Sequence, residues 1–207
     1  MNYAEIKALA ISYSDRNDVE IAANIDSFIR VAESRINRVL KTQKMETRIS
    51  IPTIAEQEYY DLPENFGGLR AIEIRATNDD RTRYTLAYIS PEQMNNRSSH
   101  SDDGTYKIYY TIIANQIQIM PPQDDKIMEL VYYKLITALD STNTENWIST
   151  TYPDLYLFGI LVEITSFVKD ETAAGLWNSR FTSTLDEITL DDDKVSWSGT
   201  SLQARIG

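Results

Sequence analysis

The sequence offers few residues with the types and spacing that catalysis needs. Adjacent carboxylates can pair as acid and base or hold a cation, and they occur at Asp79-Asp80, Asp102-Asp103, Asp124-Asp125 and Asp191-Asp192-Asp193. All four lie in stretches typical of turns, where Asp is favoured because its side chain hydrogen-bonds to the backbone. None has the glycine and glutamate positions of a calcium loop. We therefore expect solvated turns, and we predict neither a metal nor a cofactor.

The single histidine, His100, lies in a polar loop. A hydrolytic triad needs a nucleophile and a third group around such a base, and the sequence has no Gly-x-Ser-x-Gly turn. It also has neither a Walker-type phosphate loop nor a Gly-x-Gly-x-x-Gly turn. The sequence predicts a protein that is not an enzyme. An enzyme whose carboxylate pair converges from distant positions is kept as an alternative.

Thirteen tyrosines are the other residues with a chemical use. Tyr59-Tyr60, Tyr109-Tyr110 and Tyr132-Tyr133 lie in strand patterns, which favours one ring facing inward and its neighbour facing outward. Exposed tyrosines are typical of protein interfaces. Stacking on single-stranded nucleic acid is an alternative, but the net charge of −11 disfavours phosphate binding.

Helical patterns at both ends of the chain and strand patterns in its middle must position these side chains. Between Asp18 and Leu40 the apolar residues recur every three or four positions, at Ile21, Ile25, Phe28, Ala32, Ile36 and Val39. A shorter helix precedes this one, and two more helical patterns follow Pro153 and Asp170. Strand patterns, most of them with period-two alternation, occur at 48–51, 58–63, 69–76, 83–88, 106–110, 116–119 and 127–134.

These patterns predict an α+β fold in which the N- and C-terminal helices pack as a helical bundle and hold an inserted antiparallel β-rich domain. The predicted bundle consists of residues 1–44 plus 146–190, and the predicted β-rich domain is 45–145. Residues 191–207 have no amphipathic period and are expected to form an extended C-terminal tail.

The chain carries no sign of export or of a membrane span. Its N-terminus lacks the basic and apolar order of a secretory signal, and polar residues interrupt the longest apolar region, Leu155 to Val168. The absence of cysteine excludes disulfides and thiolate metal sites, which suits a reducing cytoplasm. We expect a soluble protein that does not contact a membrane.

Several segments, taken in order, resemble the head-to-tail adaptor proteins of short-tailed bacteriophages. The resemblance covers about residues 5 to 185 and depends on order and spacing. The segments are Val31–Leu40, Met45–Thr47, Asp61–Phe66, Ile89–Gln93, Glu129–Tyr133, Asn146-Trp147 and Tyr152–Gly159.

The resemblance implies a virion protein, assembled in the host cytoplasm, that forms a ring of about twelve copies with closed cyclic symmetry. Such a ring docks on the portal protein, carries the tail nozzle protein and lines the DNA conduit. Its contact with DNA is passive, because acidic residues along a channel repel phosphates. Another virion ring component, either a head-completion stopper or a nozzle subunit, is kept as an alternative.

Two sets of residues are candidates for assembly contacts. Trp197, Leu202 and Arg205 are the predicted portal anchors, because tryptophan and arginine dominate the binding energy of many interfaces. The charged residues of the long N-terminal helix are predicted to contact the neighbouring subunit; they are Arg30, Glu33, Arg35 and Arg38.

Overall fold

A computed structural model describes residues 1–16, 18–77, 82–95 and 107–197. Its helices are α1 (Tyr3–Ser14), α2 (Val19–Val39), α3 (Pro91–Asn95), α4 (Trp147–Thr151), α5 (Pro153–Phe167) and α6 (Glu171–Trp197). Its strands are β1 (Glu46–Pro52), β2 (Tyr59–Asp61), β3 (Phe66–Ala76), β4 (Arg83–Thr85), β5 (Ala87–Tyr88), β6 (Tyr109–Ile113), β7 (Gln116–Met120) and β8 (Lys126–Lys134). A 3-10 turn, Gln43–Met45, precedes β1.

The chain divides into two compact units. The helical unit contains Met1–Gln43 and the described residues from Ile136 onward, and the β unit is Lys44–Leu135. Both ends of the chain therefore contribute to the helical unit.

Local sequence signals explain where the terminal helices begin. The Asn2 side chain accepts a hydrogen bond from the Glu5 N–H, and the Glu5 carboxylate accepts one from the Asn2 N–H, both at 2.9 Å. This reciprocal pair satisfies two backbone donors at the start of α1. Pro153 begins α5, where its missing N–H costs nothing. The buried residues of α2 recur every three or four positions, so one stripe of this helix faces the core.

The predicted helical bundle is wrong. The protein is α+β, and 48% of the described residues are helix and 25% strand; the strands lie in the middle while the helices are split between both ends. Instead of packing as a bundle, α1, α2, α4 and α6 each contact α5. The reason lies in α5 itself, which is buried around most of its circumference and must be covered on several sides.

The β unit contains two four-stranded sheets, ordered β1-β8-β3-β4 and β2-β7-β6-β5. Both sheets contribute to one apolar core, and its fully buried members include Ile74, Ile117, Ile119, Met128 and Leu130. The prediction of a purely antiparallel region is wrong for one pair, because β5 and β6 run parallel. Parallel neighbours need a crossover connection, and here that connection includes α3.

The last helix is longer than the sequence indicated. The predicted extended tail begins at Asp191, whereas α6 continues as helix to Trp197. The three adjacent aspartates therefore lie within a helix rather than in a turn. Residues 198–207 lie outside the described part of the chain, as do the Ser196 and Trp197 side chains.

Candidate assembly surfaces

The carboxylate pairs do not form a site in the described part of the chain. Asp124 and Asp125 are exposed in the turn before β8. Asp192 accepts hydrogen bonds from the Gln43 N–H at 3.0 and 3.1 Å, which ties the C-terminal part of α6 to the chain that follows α2. Among the described residues, no group of three or more His, Asp or Glu side chains is placed to hold a metal ion. The remaining candidates lie outside the described residues; they are Asp79-Asp80, His100 and Asp102-Asp103.

Glu33 is buried within the helical unit, with 5% of its surface exposed. Its carboxylate accepts hydrogen bonds from the Leu139 N–H at 2.7 Å and from the Tyr156 hydroxyl at 3.0 Å. Asn146 donates to the same hydroxyl at 2.7 Å. Burial raises the pKa of Glu33, although both donors favour the charged form. Glu33 therefore fastens α2 to α5 and to the segment before α4.

Arg35 also makes its contacts within one chain. Its guanidinium donates to Glu163 on α5 at 3.3 Å and to Asn178 on α6 at 2.6 Å. It also lies 4.6 Å from the centroid of the Phe181 ring, which is the geometry of a cation–π contact. Arg35 joins three helices and is largely withdrawn from the surface.

Arg30 and Arg38 are placed differently. Both are exposed on α2, and neither forms a hydrogen bond or ion pair with any residue that the structure describes. These two arginines are the members of the predicted set that can reach a neighbouring molecule.

Of the predicted portal anchors, Trp197 is the last residue of α6. Its side chain lies outside what the structure describes, and Leu202 and Arg205 lie outside the described residues altogether.

Two buried tyrosines of the β unit hold loops in place. Tyr60 is buried, and its hydroxyl accepts from the Ile54 N–H and donates to the Gln57 carbonyl. Tyr132 is likewise buried and donates to Asn65 at 3.0 Å. Their neighbours face outward: Tyr59 is exposed and Tyr133 is half-buried, as strand alternation predicts. The exposed rings are available for protein contacts.

A charged cluster on the first sheet escaped the sequence reasoning. Glu129 on β8 accepts hydrogen bonds from Arg75 at 2.7 Å and from Arg83 at 3.0 Å. Arg83 also donates to Glu73 at 2.9 Å, and Arg48 lies 3.9 Å from Glu129. The bond from Arg75 lowers the pKa of Glu129, and Arg83 adds to this effect. Charged residues two apart in β3 were an available signal, since such residues share one face of a strand.

None of the described helices combines the length and the apolar character that a membrane span requires.

A comparison with protein families gives the chain its relatives. The family model described as SU10 adaptor protein matches residues 1–205, while no curated protein matches the chain. The family is one of structural phage adaptors. The resemblance to phage head-to-tail adaptors is thereby confirmed, and so is the prediction of a structural bacteriophage protein that is a component of the virion. The chain belongs to the SU10 adaptor protein family.

Proposed function

We propose that this chain is a head-to-tail adaptor that assembles in the host cytoplasm as a ring of about twelve copies between portal and tail nozzle. The observation that carries this proposal is the family match, which extends over residues 1–205. The helical unit supports it, because charged and aliphatic side chains stay exposed along its outer helices.

The ring's channel conducts DNA without holding it. Each copy carries a net charge of −11, and a ring places these charges around one axis. Negative groups along a channel repel phosphates, so DNA passes without binding tightly. The protein acts in assembly and carries out no turnover.

The portal contact in this proposal is made by the C-terminal segment 191–207. Trp197, Leu202 and Arg205 are its anchors, because a tryptophan and an arginine with an aliphatic neighbour form a typical interface hot spot. The charged α2 residues Arg30 and Arg38 serve the contact between copies, while Glu33 and Arg35 hold α2 in place behind that surface.

Light scattering of the protein alone and mixed with the portal of the same phage tests the adaptor role. We expect the portal to gain the mass of a whole ring of subunits. A portal of unchanged mass and a protein that stays monomeric would contradict the proposal.

The portal anchors are tested by deleting residues 198–207, which leaves α6 intact, and by Trp197→Ala in the full chain. Both variants should lose portal binding by at least about tenfold, since hot-spot residues contribute about 2 kcal/mol or more. Undiminished binding by both variants would rule out Trp197, Leu202 and Arg205 as the portal anchors.

A further inference from the structure

The outer face of α2 has an unusual composition. We define it by residues that are all exposed and recur at helical spacing: Ala23, Ser27, Arg30, Val31, Ser34 and Arg38. Its members are small, aliphatic or positively charged, and none is acidic. The buried stripe of α2 lies on the opposite side, so this face points away from the core of the helical unit.

The outer face of α6 has the complementary composition. Its exposed residues alternate at intervals of three and four and are Leu176, Ser179, Ser183, Asp186, Leu190 and Asp193. Leu176 and Leu190 are 53% and 58% exposed. Small residues separate the two leucines, and every charged member of the face is negative. Only the two leucines are apolar, so serine and aspartate side chains make up the rest of the face.

The charges on both faces are not tied up in hydrogen bonds or close ion pairs with described residues, although Arg30 lies near enough to Asp26, Glu33 and Asp140 to lower the pKa of each carboxyl. Arg30, Arg38, Asp186 and Asp193 form no hydrogen bond or ion pair with the residues that the structure describes. The two faces also match in length, at about 22 Å for α2 and about 26 Å for α6, given the rise of an α-helix.

The relative direction of the two helices follows from the fold of one chain. Arg35 contacts Asn178, and Gln43 contacts Asp192, so α2 and α6 run in the same direction. Successive copies in a ring of about twelve are rotated by only about 30°, which keeps the helices of neighbours similarly oriented. Among the registers of this parallel arrangement we take the one that pairs the charges, in which Arg30 lies beside Asp186 and Arg38 beside Asp193. Ser27 then meets Ser183, and Leu190 packs over Ser34.

We propose that the outer face of α2 on one copy docks onto the outer face of α6 on the next, as a repeating head-to-tail contact. This inference deepens the proposed function and rests on it, because it names the surface that receives Arg30 and Arg38. Charge complementarity and the matched small residues carry it. A contact between two different faces propagates around a ring, whereas a contact between identical faces closes a dimer.

Cysteine cross-linking tests the contact directly, because the chain has no cysteine of its own. The Ser27→Cys and Ser183→Cys variants, one of them carrying an affinity tag, are mixed and oxidised mildly, alone and in the presence of portal. A disulfide forms only when the two Cα atoms lie within about 7 Å. We expect at least about tenfold more mixed dimer than from the control pair Ser27→Cys and Ser141→Cys, in which Ser141 is exposed but lies on neither face.

A charge swap provides the second test. Arg30→Asp and Asp186→Arg should each reduce the mixed dimer of the cysteine pair by about tenfold, since each places like charges together. Combining both substitutions in every copy should restore the dimer. Circular dichroism confirms that the exposed substitutions leave the fold intact.

The outcomes separate this inference from the proposed function. Ring mass on the portal without the mixed disulfide would overturn the α2–α6 contact and leave the adaptor role standing. The mixed disulfide without portal association would overturn the adaptor role and leave the α2–α6 contact standing. Dimers formed only between identical variants, or a double charge swap that assembles no better than the single ones, would also overturn the contact.

Discussion

At the scale of single residues, the four charged positions predicted on α2 divide by their surroundings. Glu33 and Arg35 are used within the chain, where they hold α2 against α5 and α6. Arg30 and Arg38 remain outside and unpaired among the described residues. A buried carboxylate such as Glu33 costs stability unless donors satisfy it, and Leu139 and Tyr156 supply them.

We expect Glu33→Gln to change how stability depends on pH. Because burial raises the pKa of Glu33, the folded protein binds this proton more tightly than the unfolded chain. The free energy of unfolding of the wild type therefore falls as the pH rises from about 4.3 through the raised pKa. The glutamine side chain does not titrate. The free energy of unfolding of the variant, relative to that of the wild type, should therefore rise with pH, by at most about 1.4 kcal/mol per pH unit.

Urea unfolding followed by circular dichroism at several pH values measures this difference. Tyr156→Phe is the contrasting variant, because it removes a donor that lowers the pKa of Glu33. The pKa of Glu33 should then rise further, and the free energy of unfolding should fall with pH over a wider range. Free energies that change in parallel for the wild type and Glu33→Gln would contradict the assignment.

The Glu129 cluster should respond to pH in the opposite sense. Arg75 and Arg83 lower the pKa of Glu129, so its stabilisation is present above the ordinary pKa of about 4.3 and is lost as the pH falls through the lowered value. We expect Glu129→Gln to reduce the free energy of unfolding by about 1–3 kcal/mol at neutral pH. The gap from the wild type should close in acid. Chemical unfolding at neutral pH and in acid tests this, and a gap that persists in acid would contradict it.

At the scale of secondary-structure elements, α5 organises the helical unit. Most of its circumference is buried, and the other helices of this unit pack on it. Gly159 permits a close approach on two sides at once, because a Cβ atom there would lie 3.0 Å from the Ala32 Cβ and 3.1 Å from the Phe181 ring. Helices α2 and α6 both depend on this missing side chain.

Two glycine substitutions test that dependence. Gly159→Ala should destabilise the protein by about 1–3 kcal/mol, because the crowding at two helices exceeds the gain in helix propensity. Gly175→Ala is the matched control, since a Cβ at that position of α6 meets nothing within 4 Å. It should stabilise the protein by about 1 kcal/mol. Equal effects of the two substitutions, measured by urea unfolding, would show that α5 can move away from its neighbours.

At the scale of the whole molecule, net charge bears on the proposed DNA conduit. The chain carries 31 acidic and 20 basic residues, and several basic residues are engaged in ion pairs within the chain. A DNA conduit suits this balance, whereas a single-strand binding module needs a positive groove lined with aromatic rings.

We therefore expect no retention of a labelled single-stranded oligonucleotide by the protein, even at about 50 mM salt, where phosphate contacts are strongest. Fluorescence anisotropy measures this. Binding that weakens steeply as salt is added would contradict the conduit and favour the single-strand binding alternative.

The sequence by itself determined where most helices and strands occur, because periodicity, capping and proline act over a few residues; the end of α6 at Trp197 is an exception. Asn2 with Glu5, Pro153 and the apolar spacing of α2 are local signals, and the structure follows them. The order of segments likewise sufficed to identify the family. Only the tertiary structure decided that α5 is surrounded, that β5 and β6 run parallel, and that Glu33 is buried. These features depend on contacts between residues far apart in the chain: Glu33 meets Tyr156, and Arg75 meets Glu129. No local pattern specifies which distant partner a side chain will find, and for that reason the unpaired faces of α2 and α6 became visible only once the chain was folded.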